Sequence, residues 1–232
     1  MTKQLPLAII GDGRMGRGVR DIAAHAGFDV VAFLGAADVA GGAPSAAQLG
    51  GAAVAIEFTV PAAAAANVLA CADAGVPVVC GTTGWDASRR RVEDEVRRRG
   101  GALLWSPNFS VGVHVFTRLV ERAAADFAAA GGFSAHVIET HHAAKVDAPS
   151  GTAKRLAERA SHALGEAVPV TSIRTGYVPG THEVVFDALF EQVRLVHEAR
   201  DRRLFAAGAL AAASWLAGRK GVFTMDDFLG TR

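Results

Sequence analysis

Leu5-Pro-Leu-Ala-Ile-Ile10 leads directly into Gly11-Asp12-Gly13-Arg14-Met15-Gly16. Leu5 to Ile10 is apolar without alternation, the pattern of a strand covered on both faces. It runs into Gly-x-Gly-x-x-Gly, and a helical pattern follows to about His25. In such a strand–turn–helix unit Gly11 permits the tight turn, Gly13 lets backbone approach a pyrophosphate, and Gly16 lets the helix pack closely. The helix start adds oriented N–H donors and a partial positive charge. The competing reading is an ordinary glycine-rich turn, and the strand before it and the helix after it favour the nucleotide.

Beyond this unit, Phe28 to Leu34 and Val54 to Phe58 read as further buried strands, and Pro61 opens an alanine-rich helix where proline is tolerated. Pro77 to Cys80, a charged helix near Ala87 to Arg99, and Ala102 to Trp105 keep the alternation going. Strands alternating with helices predict an α/β fold, a doubly wound parallel sheet of the Rossmann kind. After Asn108 the grammar changes. A long helix near Val111 to Ala130 precedes a strand from Ser134 to Thr140, and a helix from Thr152 to Leu164 follows. Three strand-like runs come next: Ser172 to Tyr177, His182 to Leu189 and Gln192 to Ala199, the last two joined around Phe190-Glu191. They predict a second, α+β domain with an open mixed sheet. Leu204 to Ala217 returns to helix, and Gly221 to Met225 is a short closing segment.

Composition narrows the function. The 232 residues carry a net charge of +1, so no bulk field points to nucleic acid or to an anionic membrane. The arginines at 89–91 and 97–99 interleave with Glu93, Asp94 and Glu95, as on a solvated helix face. Cys71 and Cys80 make neither a disulfide framework nor a four-ligand zinc site. Met1 to Gln4 leads straight into a strand, and the alanine-rich runs are too short or too broken to span a bilayer. A cytoplasmic location is the expectation.

The second chemical signal is Glu139-Thr-His141-His142-Ala-Ala-Lys145-Val-Asp147-Ala-Pro-Ser150-Gly151-Thr152. A lysine, two imidazoles and a helix start together suit a small substrate with carboxylates and a group able to deliver a proton. A polar loop with Ser150 or Thr152 merely capping the helix is the plainer alternative. No metal is expected: His136 and His197 are potential companions, but adjacent histidines on a strand face opposite ways and no matching carboxylate or cysteine spacing appears.

These motifs together resemble the 4-hydroxy-tetrahydrodipicolinate (dihydrodipicolinate) reductase family over nearly the whole chain. Gly13 to Arg17 is similar to its nucleotide turn and Glu57-Phe-Thr-Val-Pro61 to its third-strand motif. Gly81-Thr82-Thr83-Gly-Trp85 and Ser106-Pro107-Asn108-Phe109-Ser-Val-Gly112 are similar to its nicotinamide-side loops, and Glu139 to Thr152 to its signature. Phe205 to Ala209, Trp215 to Gly218 and Gly221 to Met225 look like its closing helix and tail. The resemblance implies NADH- or NADPH-dependent reduction of a cyclic imine dicarboxylate in the diaminopimelate route to lysine. It implies His141 as proton donor and acceptor, Lys145 as a second proton donor, and His142, Ser150, Gly151 and Thr152 around the substrate. Gly11 to Gly16, Gly81 to Thr83 and Ser106 to Phe109 would line the cofactor. It further implies a dinucleotide-binding domain over 1–109 and 206–232, a substrate domain over 110–205, and a homotetramer.

Departures fall at one end of the cofactor. Where many family members carry an acidic–basic pair after the second strand, this chain has Gly35-Ala-Ala37, with Asp38 a few places late. Where many have arginine before the proline of the third-strand motif, it has Val60. Arg14 and Arg17 in the turn are the remaining cations for a 2′-phosphate, so NADH and NADPH both stay open. Two other readings compete: a Rossmann reductase for a different small acid, and a non-catalytic nucleotide sensor. The first gives no reason to keep both histidines, Lys145 and the Pro-Ser-Gly-Thr run together, and the second leaves the proton donors without a use.

Overall fold

A computed structural model describes residues 4–39 and 42–230, which divide into two compact units. The first comprises Met1–Ser110 with Arg203–Arg232, and the second Val111–Arg202.

The first unit is built on a six-stranded parallel sheet in the order β10-β5-β4-β3-β1-β2. Its strands are β1 (Leu5–Ile10), β2 (Phe28–Leu34), β3 (Val54–Glu57), β4 (Val78–Cys80), β5 (Ala102–Trp105) and β10 (Gly221–Phe223). Every residue of β3 and β4 is buried, which is why these runs show no alternation. Helices α2 (Pro61–Asp73) and α3 (Asp86–Arg98) put Ala64, Val68, Cys71, Val92 and Val96 into one apolar cluster with the sheet. Helix α6 (Arg203–Leu216) packs on β3, β4 and β5 and alongside α1 (Arg14–Ala23). The C-terminal segment thus completes the sheet with β10 and ends in α7 (Met225–Phe228), which Thr224 starts through a capping box with Asp227. Because all six strands are parallel, the loops after β1, β3, β4 and β5 emerge at one edge, and the order reverses between β1 and β3.

The second unit holds a four-stranded mixed sheet, β7-β6-β8-β9. Here β6 (Ser134–His141) pairs parallel with β7 (Val170–Arg174) and antiparallel with β8 (Thr181–Asp187), which pairs antiparallel with β9 (Gln192–Glu198). Helices α4 (Val111–Ala130) and α5 (Gly151–Leu164) contribute Phe116, Val120, Leu156 and Ala160 to a core shared with Val137, Val184 and Phe186. One strand differs from the sequence-based expectation: β7 lies at Val170–Arg174, two or three residues before the Ser172–Tyr177 run. The parallel ladder with β6 starts at Val137↔Val170, and the carbonyl of Gly176 (φ 50°) takes the Ala143 N–H, so Thr175 to Tyr177 turn away from the sheet.

Candidate active site

Period-two alternation along β6 places Ala135, Val137, Glu139 and His141 on one buried face. Ala135 and Val137 go into the core, and Glu139 and His141 continue the same face toward the end of the strand. Strand register then surrounds them. Glu139 lies opposite Ser172 on one side and His182 on the other, His182 opposite His197, and His141 opposite Arg174.

Glu139 is fully buried and organises this row. Its Oε2 meets Nδ1 of His141, while its Oε1 accepts from Arg174 Nη2 at 2.6 Å and from the Ser150 N–H at 3.3 Å. Burial alone would raise its pKa, but the Arg174 and His141 hydrogen bonds outweigh that and lower it to about 2. Arg174 also donates to the carbonyls of Asp147 at 2.6 Å and Ile173 at 2.8 Å, which ties the loop after β6 to the sheet. With Nδ1 held by Glu139, Nε2 is the ring nitrogen of His141 left for another partner. A Cβ at Gly180 would fall 3.0 Å from that atom, so the absence of a side chain there keeps Nε2 open. Burial lowers the His141 pKa; Glu139 works against that, while the Lys145 and Arg174 cations add to it. His182, edge-on to His141 with ring centroids 5.1 Å apart, is lowered to about 4 by burial and by His141.

The remaining expected residues divide between this cluster and its surroundings. Lys145 Nζ is 2.6 Å from Asp147 Oδ1, and that hydrogen bond depresses the Asp147 carboxyl. Ser150 caps α5, its hydroxyl accepting from Ala153 N at 3.2 Å and lying 3.2 Å from His182 Nε2. The first four N–H groups of a helix have no intrahelical acceptor; Ser150 satisfies that of Ala153, and Gly151 and Thr152 stand at the first two positions of the helix. His142 stands apart. It lines a cavity of about 710 Å³ with Gly176, Tyr177, Pro179, Arg200 and Arg202. Ligand atoms of Glu139, His141 and His182 lie within 4.8 Å of one another, close enough for a metal by distance. Arg174 and the Ser150 N–H already take Glu139, and a cation beside a guanidinium is electrostatically opposed. His136 and His197 are not members of that group.

In the first unit the glycine turn follows β1 as expected. A Cβ on Gly16 would stand 1.7 Å from the Gly11 carbonyl oxygen, and one on Gly11 (φ 112°) 2.0 Å from that of Phe58, so only glycine closes this turn. Gly13 has open space where its Cβ would be. Beside the turn lies a pocket of about 360 Å³ between the ends of β1, β2 and β3, within the size range of small-molecule sites, ~300–1,000 Å³. Gly11, Asp12 and Gly13 line it; Arg14 is exposed and Met15 half-buried on the first turn of α1. Asn67, 2% exposed, also lines it and carries a buried Oδ1 with no hydrogen-bond partner among the described residues. Backbone able to approach a pyrophosphate and an orphaned acceptor in the pocket both fit a dinucleotide.

The other two loops occupy the same sheet edge. Thr82 is buried: its hydroxyl accepts from Thr59 N at 2.7 Å and its carbonyl from the indoles of Trp85 and Trp105. It therefore fixes the loop; the Gly81 N–H is taken by the Glu57 carbonyl at 2.9 Å, and Thr83 beside it is exposed. Ser106 Oγ bridges to the carbonyl and N–H of Asn108, Pro107 is exposed, and Phe109 packs edge-on to Phe58 at 6.0 Å. Beneath the pocket, buried Glu57 is bonded by Thr59, Asn67 and the Cys80 thiol. Burial and Glu57 push Cys71 up to about 12 and Cys80 well up, so neither is a nucleophile at neutral pH.

Sequence reasoning missed Arg174 and His182, and saw Glu139 only as the start of a motif. The signal was available in part: Glu139 and His141 are two apart on a strand. Their partners depend on register, which spacing does not give.

Residues 5–109 match the family model described as "Dihydrodipicolinate reductase, N-terminus", and residues 112–229 the one described as "Dihydrodipicolinate reductase, C-terminus". The chain is 41% identical over 221 residues to a 4-hydroxy-tetrahydrodipicolinate reductase of Xanthomonas euvesicatoria pv. vesicatoria, covering 89% of each protein. To one of Christiangramia forsetii it is 32% identical over 235 residues, covering 96% of this chain and 97% of the relative. In fold it is similar to a solved structure, "Dipicolinate bound Dihydrodipicolinate reductase from Paenisporosarcina sp. TG-14". The TM-score is 0.77 with 20% identity, over 95% of this chain and 97% of that one. The chain belongs to the dihydrodipicolinate reductase family.

Proposed function

We propose that this protein uses NADH or NADPH to reduce 4-hydroxy-tetrahydrodipicolinate to tetrahydrodipicolinate, with loss of water, on the route through diaminopimelate to lysine. The observation that carries the reading at residue level is the buried Glu139–His141 pair, with Lys145 near it and the start of α5 beside it. One hydride and one proton enter the substrate and one water leaves. The dinucleotide, when bound, supplies the hydride. Gly11 to Gly16, Gly81 to Thr83 and Ser106 to Phe109 hold it in the dinucleotide-binding unit, where the glycine turn presents N–H groups to the pyrophosphate.

The substrate belongs to the second unit. Lys145 and the N–H groups of Gly151 and Thr152 supply positive charge and donors for its carboxylates, and Ser150 fixes that helix start. His142 contributes from the neighbouring cavity. In the free protein His141 is neutral near pH 7, because burial and two nearby cations depress it. A dianionic substrate reverses that balance and favours the imidazolium, so the proton is on Nε2 when the ring, having gained an electron pair, must take one. Glu139 positions the imidazole and stabilises that charge; Lys145 is the second donor. This arrangement has the parts of general acid catalysis, typically worth about 10²–10⁴-fold.

Two further assignments rest on family likeness and on simple physical features. Ile173 and Val196 are exposed on the sheet face opposite Glu139, a face suited to pairing subunits, and the assembly is a homotetramer. Among the described residues no helix is long and apolar enough to cross a membrane; the cytoplasmic location rests on the likeness to a biosynthetic enzyme family.

The deciding experiment follows dinucleotide absorbance while the cyclic imine is generated in the same cuvette. Oxidation should require the imine; no turnover with saturating NADH or NADPH would refute the activity. Light scattering should give four chains per particle, and a monomer would refute the assembly.

A further inference from the structure

We propose that Asp12 sets the dinucleotide preference of this protein, selecting NADH over NADPH by supplying from the glycine turn the carboxylate that an acidic residue after β2 ordinarily supplies. The inference rests on the dinucleotide reading above and adds which residue discriminates. In dinucleotide-binding sheets the acid at the end of the second strand accepts hydrogen bonds from the adenosine ribose. Here that place is Gly35-Ala36-Ala37, which has no polar side chain to offer.

The structure shows what stands there instead. A Cβ built on Gly35 would fall 2.7 Å from Cγ of Asp12 and 2.8 Å from its Oδ2. A side chain at position 35 would have to displace the Asp12 carboxylate, which stands in the space it would enter. The loss at one position and the acid at the other are two sides of one steric exchange. Asp38, the nearest acid in sequence, is committed to the backbone, since its Oδ2 accepts the Gly35 N–H at 2.7 Å and closes the turn after β2.

The rest of the pocket agrees in sign. Ile10, Leu34, Val39 and Phe58 form apolar walls, and Asp12 is the charged residue among its described lining. Asn67 commits its Nδ2 to Glu57 and Thr59, which leaves Oδ1 as the group without a partner. The Asp12 carboxylate and the Asn67 Oδ1 are therefore both side-chain acceptors. They suit the hydroxyls of an unmodified ribose and oppose a phosphate monoester, which carries about −1.5 to −2 charge at pH 7. Nor is a compensating cation at hand. The sequence holds no lysine or arginine from Asp21 to Ser88, Arg20 lies over the Phe33 ring at 4.5 Å, and neither Arg14 nor Arg17 lines the pocket.

Calorimetric titration of the whole protein with NADH and with NADPH, at matched ionic strength and without substrate, tests this directly. NADH should bind at least about tenfold more tightly, the scale of a like charge placed against a phosphate. Asp12→Asn should weaken NADH, strengthen NADPH and bring the two dissociation constants close together; Asp12→Ala should move the ratio the same way. Equal or tighter binding of NADPH by the unaltered protein overturns the proposal. So does a variant that changes both constants by one common factor. Either result leaves the reductase reading standing, whereas failure to bind either dinucleotide would overturn both.

Discussion

The two candidate ligand sites of this chain are made from different materials. Beside β1 the site is mostly backbone: a turn only glycine can close, apolar walls, and two side-chain acceptors in the pocket. Beside β6 it is almost all side chain: a buried carboxylate gathers an imidazole, a guanidinium and a helix N-terminus from separate segments. A backbone site tolerates change in its side chains and tunes which ligand it prefers. A side-chain site fails as a unit, because each member satisfies another. Substitutions in the second unit should therefore abolish turnover without touching dinucleotide affinity, and those around Asp12 should do the converse.

The largest effect expected is on turnover. Lys145→Ala and His141→Gln should each lower kcat by about 10²–10⁴-fold, the usual worth of a positioned acid. Dinucleotide affinity, measured by titration, should stay within about twofold of the unaltered protein. A parallel loss of NADH binding would show that these residues support the nucleotide site, and the division of labour would collapse.

Next is Arg174→Ala, which leaves Glu139 buried without its strongest counter-charge. Removing one member of a buried ion pair costs about 3–5 kcal/mol, and at about 2–4 °C per kcal/mol for a chain of this size Tm should fall by roughly 10 °C. The same substitution on an exposed surface pair such as Arg122–Asp126 should leave Tm nearly unchanged. Equal effects would mean that Glu139 is not desolvated in solution.

Arg174 also marks where sequence reading stops. The glycine turn, the parallel sheet and the segment from Glu139 to Thr152 were legible because each is written in consecutive residues with a fixed period. The resemblance to the family gave the reaction. Arg174 and His182 were not legible, because they meet Glu139 only through the β6–β7 and β6–β8 registers, and a shift of one residue would turn each to the opposite face. The displacement of β7 from its expected place shows how loosely spacing alone fixes such a register. Asp12 stood in plain view, but its bearing on Gly35 required the turn and the end of β2 in three dimensions.

Glu139→Gln should have a smaller effect, because the amide retains the shape and an acceptor for Arg174. The value of kcat should fall by about 10–100-fold, the loss seen when a hydrogen-bonded supporting partner is removed. The signature of a positioning role is in the titration of His141. Since the Glu139 carboxylate favours the imidazolium, its loss should lower the His141 pKa further below the ordinary histidine value. An NMR titration in which that pKa rises, or holds still, would remove Glu139 from the mechanism.

The most gradual effect is on stability against pH. His141, His182 and His197 all have folded-state pKa values lowered by burial, His182 to about 4. A depressed value means that the unfolded chain binds the proton first. Stability is thus full above the ordinary value of 6.5 and is lost as pH falls through the folded value, at most about 1.4 kcal/mol per pH unit for each group. Glu139, lowered from 4.5 to about 2, acts in the same direction in a lower window. Denaturant midpoints should therefore decline between pH 6.5 and 4, and His182→Asn should flatten that limb while leaving the region from pH 4.5 to 2 unchanged in slope. A variant whose decline between pH 6.5 and 4 matches the unaltered protein would show that His182 is hydrated in solution, and the second site would then be less dry than the row of strand-paired side chains requires.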